Sequence, residues 1–226
     1  MKLQWLGQSG YLIWDSSVRI CIDPYLSDVV EKHSGKKRMF PPPMPPEDIK
    51  ADTVVCTHNH LDHLDPDTIP RLLPSHFLAP KDCEATLRAL GVSNVQCFDE
   101  GTKVQIGNFS LEAVFADHTV PAVGILVNAY GKTLYFTGDT YYHENLEKLK
   151  NRSIDYMFIC INGKLGNMNV QEAVKLARII QPRVAIPNHY DMFRENTENP
   201  HAFAGQLQNS FVMKIGIEYE VETCLI

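Results

Sequence analysis

No apolar run in this chain of 226 residues is long enough to cross a bilayer, and the N-terminal MKLQWLGQSG lacks the apolar centre and cleavage pattern of a secretory leader. Basic residues are not in excess: 21 Lys and Arg face 27 Asp and Glu, for a net charge of -6, which argues against a phosphate-binding nucleic-acid face. None of the six cysteines stands in CxxC spacing, which excludes a cysteine zinc site and a thioredoxin-like redox motif. Cys21, Cys56 and Cys160 fall inside apolar runs and read as buried free thiols of a reducing compartment. There is no HExxH and no phosphate-binding glycine loop, and Gly7-Gln8-Ser9-Gly10 falls short of a nucleophile elbow. Linkers, short-period repeats and low-complexity tracts are also missing. The expectation is a single domain over residues 1–226, soluble and cytoplasmic, with neither nucleic acid nor membrane as partner and homo-oligomerisation left open.

What is present is dominated by strand signals. Apolar runs at residues 11–14, 18–22, 53–56, 109–115, 124–127, 133–136, 156–161 and 184–186 predict strands. Gly107-Asn108 predicts a hairpin between 102–106 and 109–115, and Tyr130-Gly131 a second one. Helices are fewer. Asn169 and Glu172 have capping-box spacing, and Val170, Ala173, Val174 and Ala177 recur at helical period until Pro182. Residues 82–91 predict another helix, with shorter ones at 66–73 and 144–150. Strand runs mixed with intervening helices imply a layered α/β fold. The prolines of Phe40-Pro41-Pro42-Pro43-Met44-Pro45-Pro46 forbid helix, so this is an extended loop, either a rigid connection or a wall over a site.

The densest chemistry lies in Thr57-His58-Asn59-His60-Leu61-Asp62-His63, which packs three imidazoles and a carboxylate into six residues after the apolar run at 53–56. These are ligands for zinc, manganese or iron. Other polar groups stand just beyond the ends of apolar runs: Asp23, His118, Asp139 and His189. Strands that end along one sheet edge would gather them, since ligands on strand-end loops of a rigid scaffold are a common site design. His33, His76 and His201 have no such context, and His143 is set apart only by its closeness to Asp139.

Together these residues resemble the metallo-β-lactamase superfamily, whose pattern is HxHxDH followed by His, Asp and His, each after a strand. The resemblance runs from Asp23 to His189. It implies a four-layer αββα sandwich carrying two divalent metal ions, manganese or zinc, at one edge. His58, His60 and His118 would hold one ion, Asp62, His63 and His189 the other, and Asp139 would bridge them. Several strings are similar to the branch containing L-ascorbate-6-phosphate lactonase: Trp5 to Gly10, Asp23-Pro24-Tyr25-Leu26, His58 to Asp65, Ala116 to Thr119, Thr137 to Thr140 and Gly166 to Asn169. The chain departs from that branch in being short, and from lactamases proper in carrying Asp117-His118-Thr119-Val120 where a Gly-His-Thr-Pro-Gly turn is usual.

The implied activity is hydrolysis of a small anionic sugar-acid lactone by a metal-bound hydroxide, with Asp62 and Asp139 as the catalytic carboxylates. The alternative on the same metals is a phosphodiesterase, phospholipase-D-like or nuclease. Di-iron redox members use Glu where this chain has His60. Asp23 and Asp65 are candidates to orient the imidazoles, with a turn or helix cap as the competing reading of Asp65. Lys164, Asn162 and Tyr190 are candidates to bind substrate; Arg194 and Lys36-Lys37-Arg38 are further cations for a phosphate, and Tyr25 and Tyr142 further candidates to line the pocket.

Overall fold

The computed structural model describes residues 1–73 and 75–221. Among the described residues, thirteen strands form two sheets. In chain order they are β1 (Lys2–Gly7), β2 (Gly10–Trp14), β3 (Arg19–Ile22), β4 (Thr53–Val55), β5 (His76–Ala79), β6 (Val95–Cys97), β7 (Lys103–Ile106), β8 (Phe109–Phe115), β9 (Val123–Ala129), β10 (Lys132–Phe136), β11 (Tyr156–Cys160), β12 (Val184–Asn188) and β13 (Glu218–Glu220). The α-helices are α1 (Val29–Ser34), α2 (Glu84–Ala89), α3 (Val170–Ile180) and α4 (Pro200–Ala204). One sheet has the order β13-β1-β2-β3-β4-β5-β6 and the other β12-β11-β10-β9-β8-β7.

Alternation along the strands sends side chains to two different layers. Tyr11 and Ile13 of β2 and Val55 of β4 enter the core between the sheets, against Phe109, Leu111, Phe136 and Phe158. Leu12, Val54 and Cys56 point to the other face, where they pack on Ile49, Ile69, Leu72 and Leu87. The second sheet is covered by the apolar stripe of α3 (Val170, Ala173, Val174, Ala177) and by Leu146 and Leu149. Helices therefore flank a pair of facing sheets, giving the αββα sandwich. Phe136 and Phe158 stack with centroids 4.3 Å apart, and Tyr11 meets both at about 5 Å, which ties the two sheets together near their centre.

Direction is what matters for the site. β3, β4, β5 and β6 pair in parallel, β10, β11 and β12 likewise, and β8 and β10 each run antiparallel to β9. β1 is antiparallel to β2 and β2 to β3, so β1 points the same way as β3. The carboxyl ends of β1, β3, β4, β8, β10, β11 and β12 all open toward one edge of the sandwich.

The sequence reading missed β1, β5, β6 and β13. β6 is largely exposed and β13 pairs only with the sheet edge at β1, so neither shows a buried apolar run. The helix predicted over 66–73 is a 3-10 turn at Ile69–Leu72, because Pro66 and Pro70 withdraw two amide donors. Residues 144–150 fall in a 3-10 helix at Glu144–Asn151, and 82–91 in a 3-10 turn at Lys81–Cys83 that runs into α2. The capping box at Asn169 is present with both of its hydrogen bonds. Cys21, Cys56, Cys83, Cys97 and Cys160 are free thiols, and Cys224 lies outside the described residues. No helix among the described residues is long and apolar enough to cross a membrane.

Candidate metal centre

The loops at that edge bring the predicted ligands together. After β4 the chain turns through His58, His60, Asp62 and His63; His118 arrives after β8, Asp139 after β10 and His189 after β12. Three sets of ligand atoms converge: His58, His60 and His118; Asp62, His63 and His189; and His58, His63 and Asp139. His60 Nδ1 lies 3.0 Å from His58 Nε2 and 3.2 Å from His118 Nε2. Asp139 sits between the sets, 3.3 Å from His63 Nε2, 3.0 Å from His189 Nε2 and 4.0 Å from His118 Nε2.

The outer partners settle which ring nitrogens face inward. Thr57 Oγ1 gives its one proton to Asp23 Oδ2 at 2.7 Å, so it can only accept from His58 Nδ1–H, 3.1 Å away. His118 Nδ1–H donates to the Gly166 carbonyl at 3.0 Å. His63 Nδ1–H donates to Asp23 Oδ2 at 2.8 Å. In each case Nε2 is left for the cluster. Gly166 is required here: its φ is +100°, and an added Cβ would lie 2.4 Å from His118 Nδ1.

Two amides that the sequence reading did not assign hold the carboxylates. Gln8 Nε2 donates to Asp62 Oδ2 at 2.7 Å, and Asn167 Nδ2 donates to Asp139 Oδ2 at 2.9 Å. Gln8 could have been found from the direction of β1, whose end it follows. Gln8, Asp23 and His189 all have positive φ, at 51°, 43° and 57°. Each costs on the order of 1–2 kcal/mol of backbone strain.

These residues fit a cation pair. His60 Nδ1 lies within 3.2 Å of the His58 and His118 Nε2 atoms, while the other nitrogens of His58 and His118 are already committed. His63 Nε2 is buried without a hydrogen-bond partner among carboxylates. Burial pushes the pKa of His58, His60 and His118 down, so all three are neutral at pH 7 and ready to act as ligands. Burial also opposes a charge on His63, but Asp139, Asp23 and Asp62 outweigh it and hold its pKa well above the ordinary value. Burial likewise works against the Asp139 carboxylate, yet His189 and His63 keep it well below the usual range.

The remaining candidates lie elsewhere. Asp65 bonds to none of the histidines; it accepts from the backbone of Leu26, Ser27, Asp67 and Thr68 and from the Ser27 and Thr68 hydroxyls, so the turn-capping reading is the one its geometry follows. Tyr190 turns its hydroxyl to the Met213 carbonyl and packs on Trp5, lining a groove with Phe40 and Pro41 rather than the cleft above the cluster. The proline loop therefore walls that second groove. Asn162 is buried beneath the cleft and donates to Asn196 Oδ1 and the Lys164 carbonyl. Lys164 is exposed and donates Nζ to the Glu195 carbonyl at 3.0 Å. His143 caps the helix at Glu144–Asn151.

Known proteins match along nearly the whole chain. A UPF0173 protein of Pyrococcus furiosus is 29% identical over 211 residues, covering 92% of this chain and 91% of its own. A UPF0173 metal-dependent hydrolase of Methanosarcina mazei is 26% identical over 223 residues, covering 90% and 89%. Two solved structures share the fold. Igni18, a metallo hydrolase of Ignicoccus hospitalis, superposes with a TM-score of 0.76 at 23% identity over 97% of this chain and 98% of its own. An isothiocyanate hydrolase from Delia radicum gut bacteria gives 0.79 at 17%, over 97% and 99%. The family model of the β-lactamase superfamily domain matches residues 2–189, a span that takes in every His and Asp of the cluster, and the chain belongs to the metallo-β-lactamase superfamily.

Proposed function

We propose that the chain is a metal-dependent hydrolase of a carboxylic ester bond, with a lactone as its substrate class. The observation that carries this is the convergence of His58, His60 and His118 with Asp62, His63 and His189 around Asp139. The relatives named metal-dependent hydrolases support the same reading. Two divalent cations, manganese or zinc, would supply a water that ionises near neutral pH and a Lewis acid for the carbonyl oxygen.

The chain's own residues orient that chemistry. Asp139, held by Asn167 and reached by imidazoles of both ligand sets, offers one carboxylate to both. Asp62 is the more exposed carboxylate, at 20% against 5%, so it faces the cleft and serves as proton acceptor for the attacking water. Asp23 and Gly166 keep the imidazoles in the tautomers that a cation needs.

The test is elemental analysis of the untagged protein followed by a panel of lactones, carboxylic esters, isothiocyanates and phosphodiesters with added manganese or zinc. The expected result is bound metal and lactone turnover that disappears when Asp62→Ala and His118→Ala are combined. Less than one metal per chain, or turnover confined to phosphodiesters, overturns the reading.

A further inference from the structure

The cleft that reaches the metal centre has a volume of about 380 Å³. His60, Asp62, Asp139 and His189 form its metal-facing part, and its walls are Val30, Leu61, Thr119, Leu165, Asn167 and Asn196. Among the described residues, no lysine or arginine lines it. The adjoining hollow, which shares Thr119, carries Asp99, Glu100 and Asp117 and again no cation. Of the basic groups near these walls in sequence, Lys164, Lys32 and Arg38 have partners elsewhere, and Arg194, two residues before Asn196, is exposed and does not line the cleft. Lys164 Nζ is bound to the Glu195 carbonyl, Lys32 of α1 pairs with Asp67 at 2.5 Å, and Arg38 donates to the Phe40 and Ser27 carbonyls with its guanidinium over the Tyr25 ring. An anionic substituent resting on these walls would lose water and gain no opposite charge, which is unfavourable.

The apolar members of the wall are held in place. Val30 and Leu61 pack on the small buried cluster of Tyr25, Val29, Met192 and Phe193. Leu165 is 63% exposed and has a φ of +54°, a conformation that disfavours any side chain. Its loop is fastened on both sides. Asn162 donates to the Lys164 carbonyl at 3.2 Å, His118 donates to the Gly166 carbonyl at 3.0 Å, and Gly163 N–H donates to the Met168 carbonyl at 2.9 Å. A large apolar side chain is thus presented to the cleft by a loop that also orients a metal ligand.

We propose that this cleft selects substrates whose non-reacting part is uncharged and apolar, an alkyl or aryl substituent on the lactone or ester, over substrates bearing a phosphate or carboxylate there. For the reacting end this rests on the hydrolase reading above. For the substituent it rests on the walls alone, and it replaces the expectation of a small anionic substrate.

The experiment is calorimetric titration of the zinc-loaded chain with straight-chain alkyl hydroxamates of increasing length and with the matching series ending in a carboxylate. Hydroxamates chelate the metals and leave the tail to report on the walls. The alkyl series should tighten by about threefold per added methylene, and the terminal carboxylate should abolish that gain. Leu165→Ser should flatten the alkyl slope at unchanged metal content, and Lys164→Ala should leave both series within about twofold of the parent. The proposal is overturned by carboxylate-ended ligands that bind as tightly as alkyl ones, by a flat alkyl series, or by no hydroxamate binding at all. Lactones with the same tails separate the two readings. Charged tails hydrolysed faster than apolar ones defeat the tail selection and leave the hydrolase standing. Hydroxamates that rank as expected, with no lactone or ester hydrolysed, support the tail selection and defeat the hydrolase.

Discussion

The two halves of the metal centre are built from different chemistry. His58, His60 and His118 are all imidazoles, held from behind by neutral groups, the Thr57 hydroxyl and the Gly166 carbonyl. Burial lowers their pKa values, so at neutral pH this half carries lone pairs and no protons to displace. Asp62, His63 and His189 combine a carboxylate with imidazoles, and His63 is backed by the Asp23 carboxylate. There the surrounding negative charge overcomes burial and keeps a proton on His63. One half is ready for a cation, whereas in the other a cation must compete with a proton. The difference comes from the charge around each ring: burial is outweighed at His63 by Asp139 first, then by Asp23 behind the ring and by Asp62, while at His58, His60 and His118 burial prevails.

The largest expected effect comes from removing the group the halves share. Asp139→Asn should lower metal content below two per chain and cut lactone turnover by at least roughly a hundredfold, more than loss of an outer partner usually costs. Retention of both metals with near-parental turnover would break the picture of a shared carboxylate.

Gly166→Ala should act on the three-imidazole half alone, because its Cβ would strike His118 at 2.4 Å. Metal titration should show one site weakened by roughly 10- to 100-fold and the other unchanged. Equal loss at both sites would show that the halves are not separable. Gln8→Ala should do the reverse and more mildly, removing the donor to Asp62 and weakening the mixed site by about tenfold while His118-side binding holds.

The smallest effect is on pH dependence. The His63 pKa is raised, so its proton is bound at neutral pH and leaves only as pH rises. Cation affinity at the mixed site should therefore strengthen on going from pH 6 to pH 8. The three-imidazole site, whose pKa values are lowered, should change little over the same range. Isothermal titration at the two pH values measures both, and a steeper dependence at the three-imidazole site would reverse the comparison.

Much of this centre was legible in the sequence because its densest part is local. The spacing from His58 to His63 spans one turn, so four candidate ligands can be read without knowing the fold. His118, Asp139 and His189 were visible only as polar groups after apolar runs, and grouping them needed either a family resemblance or the shared direction of β8, β10 and β12, whose ends they follow. Gln8 and Asn167 lie in strings that resemble the lactonase branch, but nothing local marks either as the partner of a carboxylate. Each is an ordinary amide in a glycine-containing loop, and its role depends on a carboxylate 54 or 28 residues away. The substrate side was harder still. Lys164 sits beside the cleft in sequence, but its ammonium is taken by a backbone carbonyl 31 residues on, and Tyr190 follows a ligand yet turns into another groove.

By itself, then, the sequence determined the elements whose information is short-range. These are the alternating and apolar runs that become strands, the capping box of α3, and a run of imidazoles with a carboxylate that suits a metal. Tertiary structure alone decided what depends on where distant strand ends meet. It set which nitrogen each histidine turns inward, which amide steadies each carboxylate, and that among the described residues the walls above the centre carry leucine and valine but no lysine or arginine. A side chain's chemistry is written in one residue, but its charge state and partners are set by neighbours that only folding brings within a few ångströms.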